Sequence, residues 1–177
     1  MFARVFSIQP AFPSSDIITV EADLSRGLYS FAVVGLPDKS VEEARDRISS
    51  AIKHSGFKSP KSKNHKVVIS LAPANVKKEG NVFDLPMALA YLLAAEEIAC
   101  NPKKIIFMGE LALDGTLRSV RGALSAALAA REDGFSALIL PEENAAEAAL
   151  VAGIEVFGAS SLTDVIAHMT ESKKITK

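Results

Sequence analysis

Seven lysines lie between Lys53 and Lys78, and no aspartate or glutamate interrupts them. Lys58, Lys61 and Lys63 share a polar loop with serines and a proline, and Lys66 opens the strand that follows. A loop of this kind can neutralise phosphates and give salt-dependent binding of nucleic acid. It can equally be a solvated loop, because no aromatic residue is interleaved from Lys58 to Lys66 for base stacking. Both readings stand open at this level.

Other chemistries find less support. A phosphate-cradling loop needs G-x-x-x-x-G-K followed by Ser or Thr, so that backbone amides surround the phosphates and the lysine neutralises them. Only Gly153 and Gly158 have the spacing, and Ala159-Ser160 follows where the lysine should be. The segment between them, Ile154 to Phe157, reads as a strand, so no ATP site is expected here. His54, His65 and His168 share no helical spacing, no HExxH occurs, and no metal site is expected. All three read as solvent-facing. Glu42-Glu43, Glu96-Glu97 and Glu142-Glu143 are adjacent pairs. Neighbours on a helix point about 100° apart, so such pairs do not converge on one substrate.

The elements that would position these residues follow from periodicity. Arg4 to Phe12, Ile17 to Leu24 and Tyr29 to Val34 read as a meander of three strands separated by turn residues. Val41, Ala44, Ile48, Ala51 and Ile52 then recur at helical spacing. Ser40 with Glu43 fits a capping box, Asp38 competes as N-cap, and Gly56 is the expected stop. A strand at Lys66 to Leu71 precedes a helix from Asp84 to Ile98, with Pro86 in its first turn. Ile105 to Met108 is a strand, and Glu110 to Arg118 is a hairpin around Asp114-Gly115, with positive φ expected at both. An alanine-rich helix over 122–132, a strand at Ala137 to Leu140, a helix from Glu142 to Ala152, a strand at Ile154 to Phe157 and a helix from Ser161 to Met169 complete the order. Alternating strands and helices predict an α/β or α+β fold, helices packed on a mixed sheet. One domain is expected over 1–170, with 171–177 a frayed tail or the start of a linker.

Composition fits this reading. Of 177 residues 49% are hydrophobic, enough for a sizeable core, and 23% are charged. The net charge of -1 gives no global attraction to DNA or membrane, so any such contact must be a local patch. Cys100, the single cysteine, cannot form an internal disulfide, which suits a reducing compartment. Leu85 to Ala95 is too short to cross a bilayer, and a cytoplasmic location without membrane contact is expected.

Four stretches together resemble one family. They are VVGLPDKSVEEARDRISSAIKHSGF, with Gly35-Leu36-Pro37 and Arg45-Asp46-Arg47; ISLAPANVKKEGNVFDLPMALA; FMGELALDGTLRSVRGAL; and LILPEENAAEAALVAGIEVFGASSLTDVI. The match covers essentially the whole chain. It is to the ComM/YifB family of Mg-chelatase-like AAA+ proteins, with Ser70 departing from the asparagine usual before Leu-Ala-Pro. The resemblance implies a Lon-protease-like fold, of the kind seen in ribosomal protein S5 domain 2. It also implies a longer parent with an AAA+ module that binds ATP and Mg, works as a hexameric ring and acts on DNA in natural transformation and branch migration. The chain itself is then expected to hold no cofactor, and its partners are the AAA+ module, DNA and copies of itself.

The same resemblance tests for peptidase chemistry. Lon peptidases pair a serine nucleophile with a lysine base that must be close and partly desolvated. Their serine lies in a K-D-G-P-S-A-G segment. The equivalent stretch, Lys78 to Leu85, has no serine, and the position falls near Phe83 or Asp84. Their lysine follows Gly-Gly-Leu, and that position falls on Leu124, with Ser125 facing a different side of the helix. The dyad is absent, which implies a domain without its own catalytic site. The alternatives are a degenerate peptidase-like domain or a component of a magnesium chelatase. Arg45, Arg47, Arg118 and Arg121 sit in the family-like motifs. They are read either as a ring interface or nucleic-acid surface, or as internal ion pairs such as Arg121 with Asp84.

Overall fold

The computed structural model describes residues 1–176. The chain opens with β1 (Phe2–Gln9) and β2 (Asp16–Arg26), an antiparallel pair in register from Phe2 opposite Asp23 to Gln9 opposite Asp16. Ile18, Val20, Ala22 and Leu24 alternate inward along β2, as the two-residue strand period requires.

The expected three-strand meander does not form. β3 (Ser30–Val34) pairs parallel with β4 (His65–Ala72), and β4 lies between β3 and β2. The physical reason is α1 (Lys39–His54), which separates β3 from β4 and makes them a strand–helix–strand unit. Such a crossover returns the chain parallel to its start.

Asp38, rather than Ser40, caps α1: its Oδ1 accepts the Val41 N–H at 2.9 Å. Val41, Ala44, Ile48, Ala51 and Ile52 face the core. Gly56 adopts φ 87° just past the helix end, where a left-handed residue is cheapest as glycine. Residues Pro60–Ser62 add a single 3₁₀ turn inside the lysine-rich loop.

α2 (Asp84–Ala94) is the central helix, buried on nearly every side and packed on β1, β2 and α1. It ends four residues before Ile98, because Glu96 turns left-handed at φ 58° and the Glu97 amide bonds back to the Leu92 carbonyl. β5 (Ile105–Phe107) follows, then a small antiparallel pair, β6 (Glu110–Leu111) and β7 (Leu117–Arg118). In its turn only Gly115 has positive φ, and Asp114 instead accepts from the Thr116 N–H and hydroxyl at 2.9 and 2.7 Å. A turn with one left-handed glycine after it is the longer hairpin form, which needs positive φ once.

The remaining elements are α3 (Ala123–Glu132), β8 (Ala137–Pro141), α4 (Glu142–Ala148), β9 (Glu155–Ala159) and α5 (Leu162–Met169). The seven-stranded sheet runs β3-β4-β2-β1-β5-β8-β9, with β1–β5, β5–β8 and β8–β9 parallel. β1 and β5 share a single registered position, Phe6 opposite Ile106. The fold is α/β. No helix among the described residues is long and apolar enough to cross a membrane. Within the expected tail, the Ile175 N–H donates to His168 Nδ1 at 3.0 Å, and the Ile175 side chain packs on the core; Lys177 lies outside the described residues.

Candidate binding cleft

Three loops converge on a cleft of about 580 Å³. The β1–β2 loop contributes Gln9 to Phe12, and the approach to α2 contributes Glu79 to Val82. The β7–α3 loop contributes Ser119 to Gly122, with Ser125 on the first turn of α3 and Glu110 on β6 completing the wall. Phe12 stands at the rim, 96% exposed.

Specific hydrogen bonds fix each wall. Gln9 Oε1 accepts the Glu79 N–H at 2.8 Å, joining the first two loops. Asn144, buried on α4, accepts the Val120 N–H at 2.9 Å and donates to the Val120 carbonyl at 2.8 Å. Glu147 of α4 accepts the Leu124 N–H at 3.1 Å, meeting an amide of the α3 N-terminus that no local side chain caps. Gly122 has φ 85°, and a Cβ there would lie 2.4 Å from Pro10 Cβ, so close approach and conformation both require glycine.

Counted from Lys78-Glu79-Gly80, the serine of the peptidase segment falls on Val82, and Val82 rather than Phe83 or Asp84 lines the cleft. At the lysine position, Leu124 turns outward, 38% exposed, and lies outside the cleft lining. Ser125 faces the cleft, but its hydroxyl donates back to the Gly122 carbonyl at 3.1 Å. Among the described residues no lysine lines the cleft, so none of them places an amine by Ser125 to take its proton.

Asp84 belongs to a buried network behind the cleft. Its partner is Arg47 of α1, not Arg121: Nε and Nη2 donate to the two carboxylate oxygens at 2.8 and 3.0 Å. The Leu111 N–H adds a third bond at 3.0 Å. Arg47 also reaches the Ser40 carbonyl and Asn81 Oδ1, and Asn81 donates to Glu110 at 3.0 Å. Burial pushes the Asp84 carboxyl up to about 6, against the opposing pull of Arg47. The Asp84 hydrogen bond in turn holds Arg47 more firmly charged.

The other predicted residues divide. Arg45 bonds the Glu42 and Phe31 carbonyls. Arg118 lies 3.6 Å from Glu110 and is largely exposed. Lys61 pairs with Asp46 at 3.2 Å, and Lys63 pairs with Glu97 at 2.5 Å in a half-buried contact. Lys58, Lys66 and Arg121 are exposed and without a partner among the described residues. Arg26, unremarked in the sequence, joins Lys63 and His65 around a shallow hollow at the far end of β2 and β4.

Two histidines depart from the solvent-facing expectation. His65 is half-buried with Nδ1 shielded and unbonded, and His168 lies against Phe157 with ring centroids 4.6 Å apart. Periodicity alone does not fix the exposure of a single histidine at a strand start or a helix end. Lys78 was missed altogether as a core residue. It is fully buried, and its Nζ donates to the Gly35 carbonyl at 2.6 Å and to the Pro73 carbonyl. Burial lowers its pKa. Its place within a lysine run hid this role.

Among the described residues no cluster of His, Cys, Asp and Glu could hold a metal ion. Gly158 lies within the edge strand β9 and Gly153 just before it, so the segment between them belongs to a sheet rather than to a phosphate loop.

Comparison with known proteins places this architecture. A family model described as subunit ChlI of Mg-chelatase matches residues 20–144. Competence protein ComM of Haemophilus influenzae is 38% identical over 174 residues, 98% of this chain and 33% of that protein. The YifB protein of Salmonella typhimurium is 44% identical over 153 residues, 86% of this chain and 29% of that protein. Lon protease 1 of Sorangium cellulosum is more distant, at 27% over 171 residues, 90% of this chain and 21% of that protein. The chain spans about a third of the length of its ComM and YifB relatives. With the family model covering most of the sheet and its helices, the chain belongs to the Mg-chelatase ChlI family, with ComM and YifB proteins as relatives.

Proposed function

We propose that this chain is a non-catalytic interaction domain of a Mg-chelatase-like AAA+ protein of the ComM/YifB type, engaging DNA and assisting ring assembly. The observation that carries the non-catalytic reading is the pair of apolar residues, Val82 and Leu124, at the positions where a Ser-Lys reaction needs a nucleophile and a base. Neither can accept a proton. ATP and Mg belong in this proposal to the AAA+ module of the same protein, assembled as a hexamer in the cytoplasm.

DNA engagement is assigned to Lys58, Lys66 and Arg26. These cations are exposed and have no partner among the described residues, whereas Arg47, Lys61 and Lys63 are held by acids. Phosphate contact neutralises such charges at little cost and releases counterions.

Anisotropy of a labelled duplex tests this. Binding at low salt is expected to weaken as salt rises, and to be lost when Lys58, Lys66 and Arg26 are all changed to glutamate. No binding at low salt, or binding unmoved by these changes, overturns the DNA assignment. Light scattering on the full-length parent with ATP and Mg tests the ring: a hexamer supports it, and a monomer overturns it.

A further inference from the structure

The β7–α3 loop lines the cleft with backbone that is only partly paired among the described residues. β7 pairs with β6 only as far as Arg118 opposite Glu110. Beyond it, the Asn144 amide bonds both the N–H and the C=O of Val120, as a neighbouring strand would. Ser119 and Arg121, on either side of Val120, both line the cleft, and the chain bends at Arg121. Neither residue has a hydrogen bond among the described residues.

The charges are equally lopsided. Both carboxylates of the cleft are engaged, Glu79 by Lys77 at 2.8 Å and Glu110 by Asn81 at 3.0 Å. The Arg121 guanidinium is exposed and has no partner among the described residues. The remaining wall, Pro10 to Phe12 with Val82, is apolar.

We infer that this cleft binds an extended peptide segment bearing an acidic side chain. The peptide adds a strand to Ser119–Arg121, sets an apolar side chain against Val82, and places its carboxylate on Arg121. Strand addition supplies affinity through main-chain bonds, and pockets for alternate side chains supply selectivity. A planar guanidinium meets a carboxylate with two parallel bonds. The volume suits a ligand of this class, since binding pockets span about 300–1,000 Å³. With the Ser125 hydroxyl bonded back to Gly122 and no lysine beside it among the described residues, this is a holding site, in which the peptide is retained uncut.

The inference stands apart from the DNA assignment, because the cleft and Arg26 lie at opposite ends of the β1–β2 pair. The test is an NMR titration of the ¹⁵N-labelled chain with a blocked valine–threonine–valine–glutamate–valine peptide and its glutamine counterpart. Saturable shifts are expected at the amides of Ser119, Arg121 and Val82. The glutamine peptide should bind about tenfold more weakly, the usual loss of one charged hydrogen-bonding partner. Arg121→Ala should abolish that preference, and Ser119→Pro, which deletes one backbone donor, should weaken both peptides. The Lys58, Lys66 and Arg26 charge reversals should leave the titration unchanged. No shifts in residues 119–122 at about 5 mM peptide, equivalent to a binding energy weaker than about 3–4 kcal/mol, overturns the inference. So does a glutamate preference that survives Arg121→Ala, or a duplex that shifts these amides when the peptide does not.

Discussion

Arg47 and Asp84 form a two-pronged ion pair, at 2.8 and 3.0 Å, that ties α1 to the first turn of α2. The Asp84 oxygens are buried, and the Leu111 amide fills a further acceptor site. Removing one partner of such a pair leaves an uncompensated charge, which costs about 3–5 kcal/mol. Arg47→Ala is expected to destabilise the domain by that order in urea denaturation. The cost should shrink on acidification, because loss of Arg47 raises the Asp84 pKa further and protonation then removes the orphaned charge. In the native chain, a carboxyl raised to about 6 contributes most below its unfolded value near 4. That contribution is lost as pH rises through 6. Stability should therefore fall relative to Asp84→Asn between those pH values, and parallel denaturation curves for the two proteins measure it.

Asn144 holds the β7–α3 loop from behind by two bonds to Val120. Asn144→Ala leaves the Val120 N–H and C=O without these partners, a loss of about 1–3 kcal/mol. Asn144→Asp keeps an acceptor for the N–H but has no donor for the carbonyl when ionised. Both variants should speed hydrogen exchange at Val120 while leaving β1 and β2 protected. Unchanged exchange at Val120 would show that the loop holds its shape without the clamp.

His168 docks the segment after α5, accepting the Ile175 N–H at Nδ1. Burial lowers its pKa, and the nearby Lys174 charge adds to the effect. A histidine with a depressed folded pKa stabilises above its unfolded value of about 6.5. That stabilisation is lost as pH falls through the lower folded value. Acidification should therefore release residues 171–176, seen as faster exchange of the Ile175 amide. His168→Ala should produce the same release at neutral pH, and the Ile175 amide then loses its pH dependence.

Elements governed by local chemistry were legible in the chain, and those governed by distant neighbours were not. The Val41-to-Ile52 stripe and the left-handed Gly56 are local, and α1 follows them. The partner of β3 depends on α1 crossing the sheet, which no turn residue records. Arg47 and Arg121 lie equally far from Asp84 along the sequence, so spacing could not choose between them; the packing of α1 on α2 does. The cleft was not legible, because it needs three loops from separate parts of the chain.

The lone registered position between β1 and β5 divides the sheet into two blocks of consecutive sequence, β1 to β4 and then β5, β8 and β9. Each block keeps its complete ladder if the connection between α2 and β5 is severed. The two pieces should then reassemble when expressed separately, guided by the apolar surface of α2. A natural place to split this domain for fragment complementation is already written into its strand order.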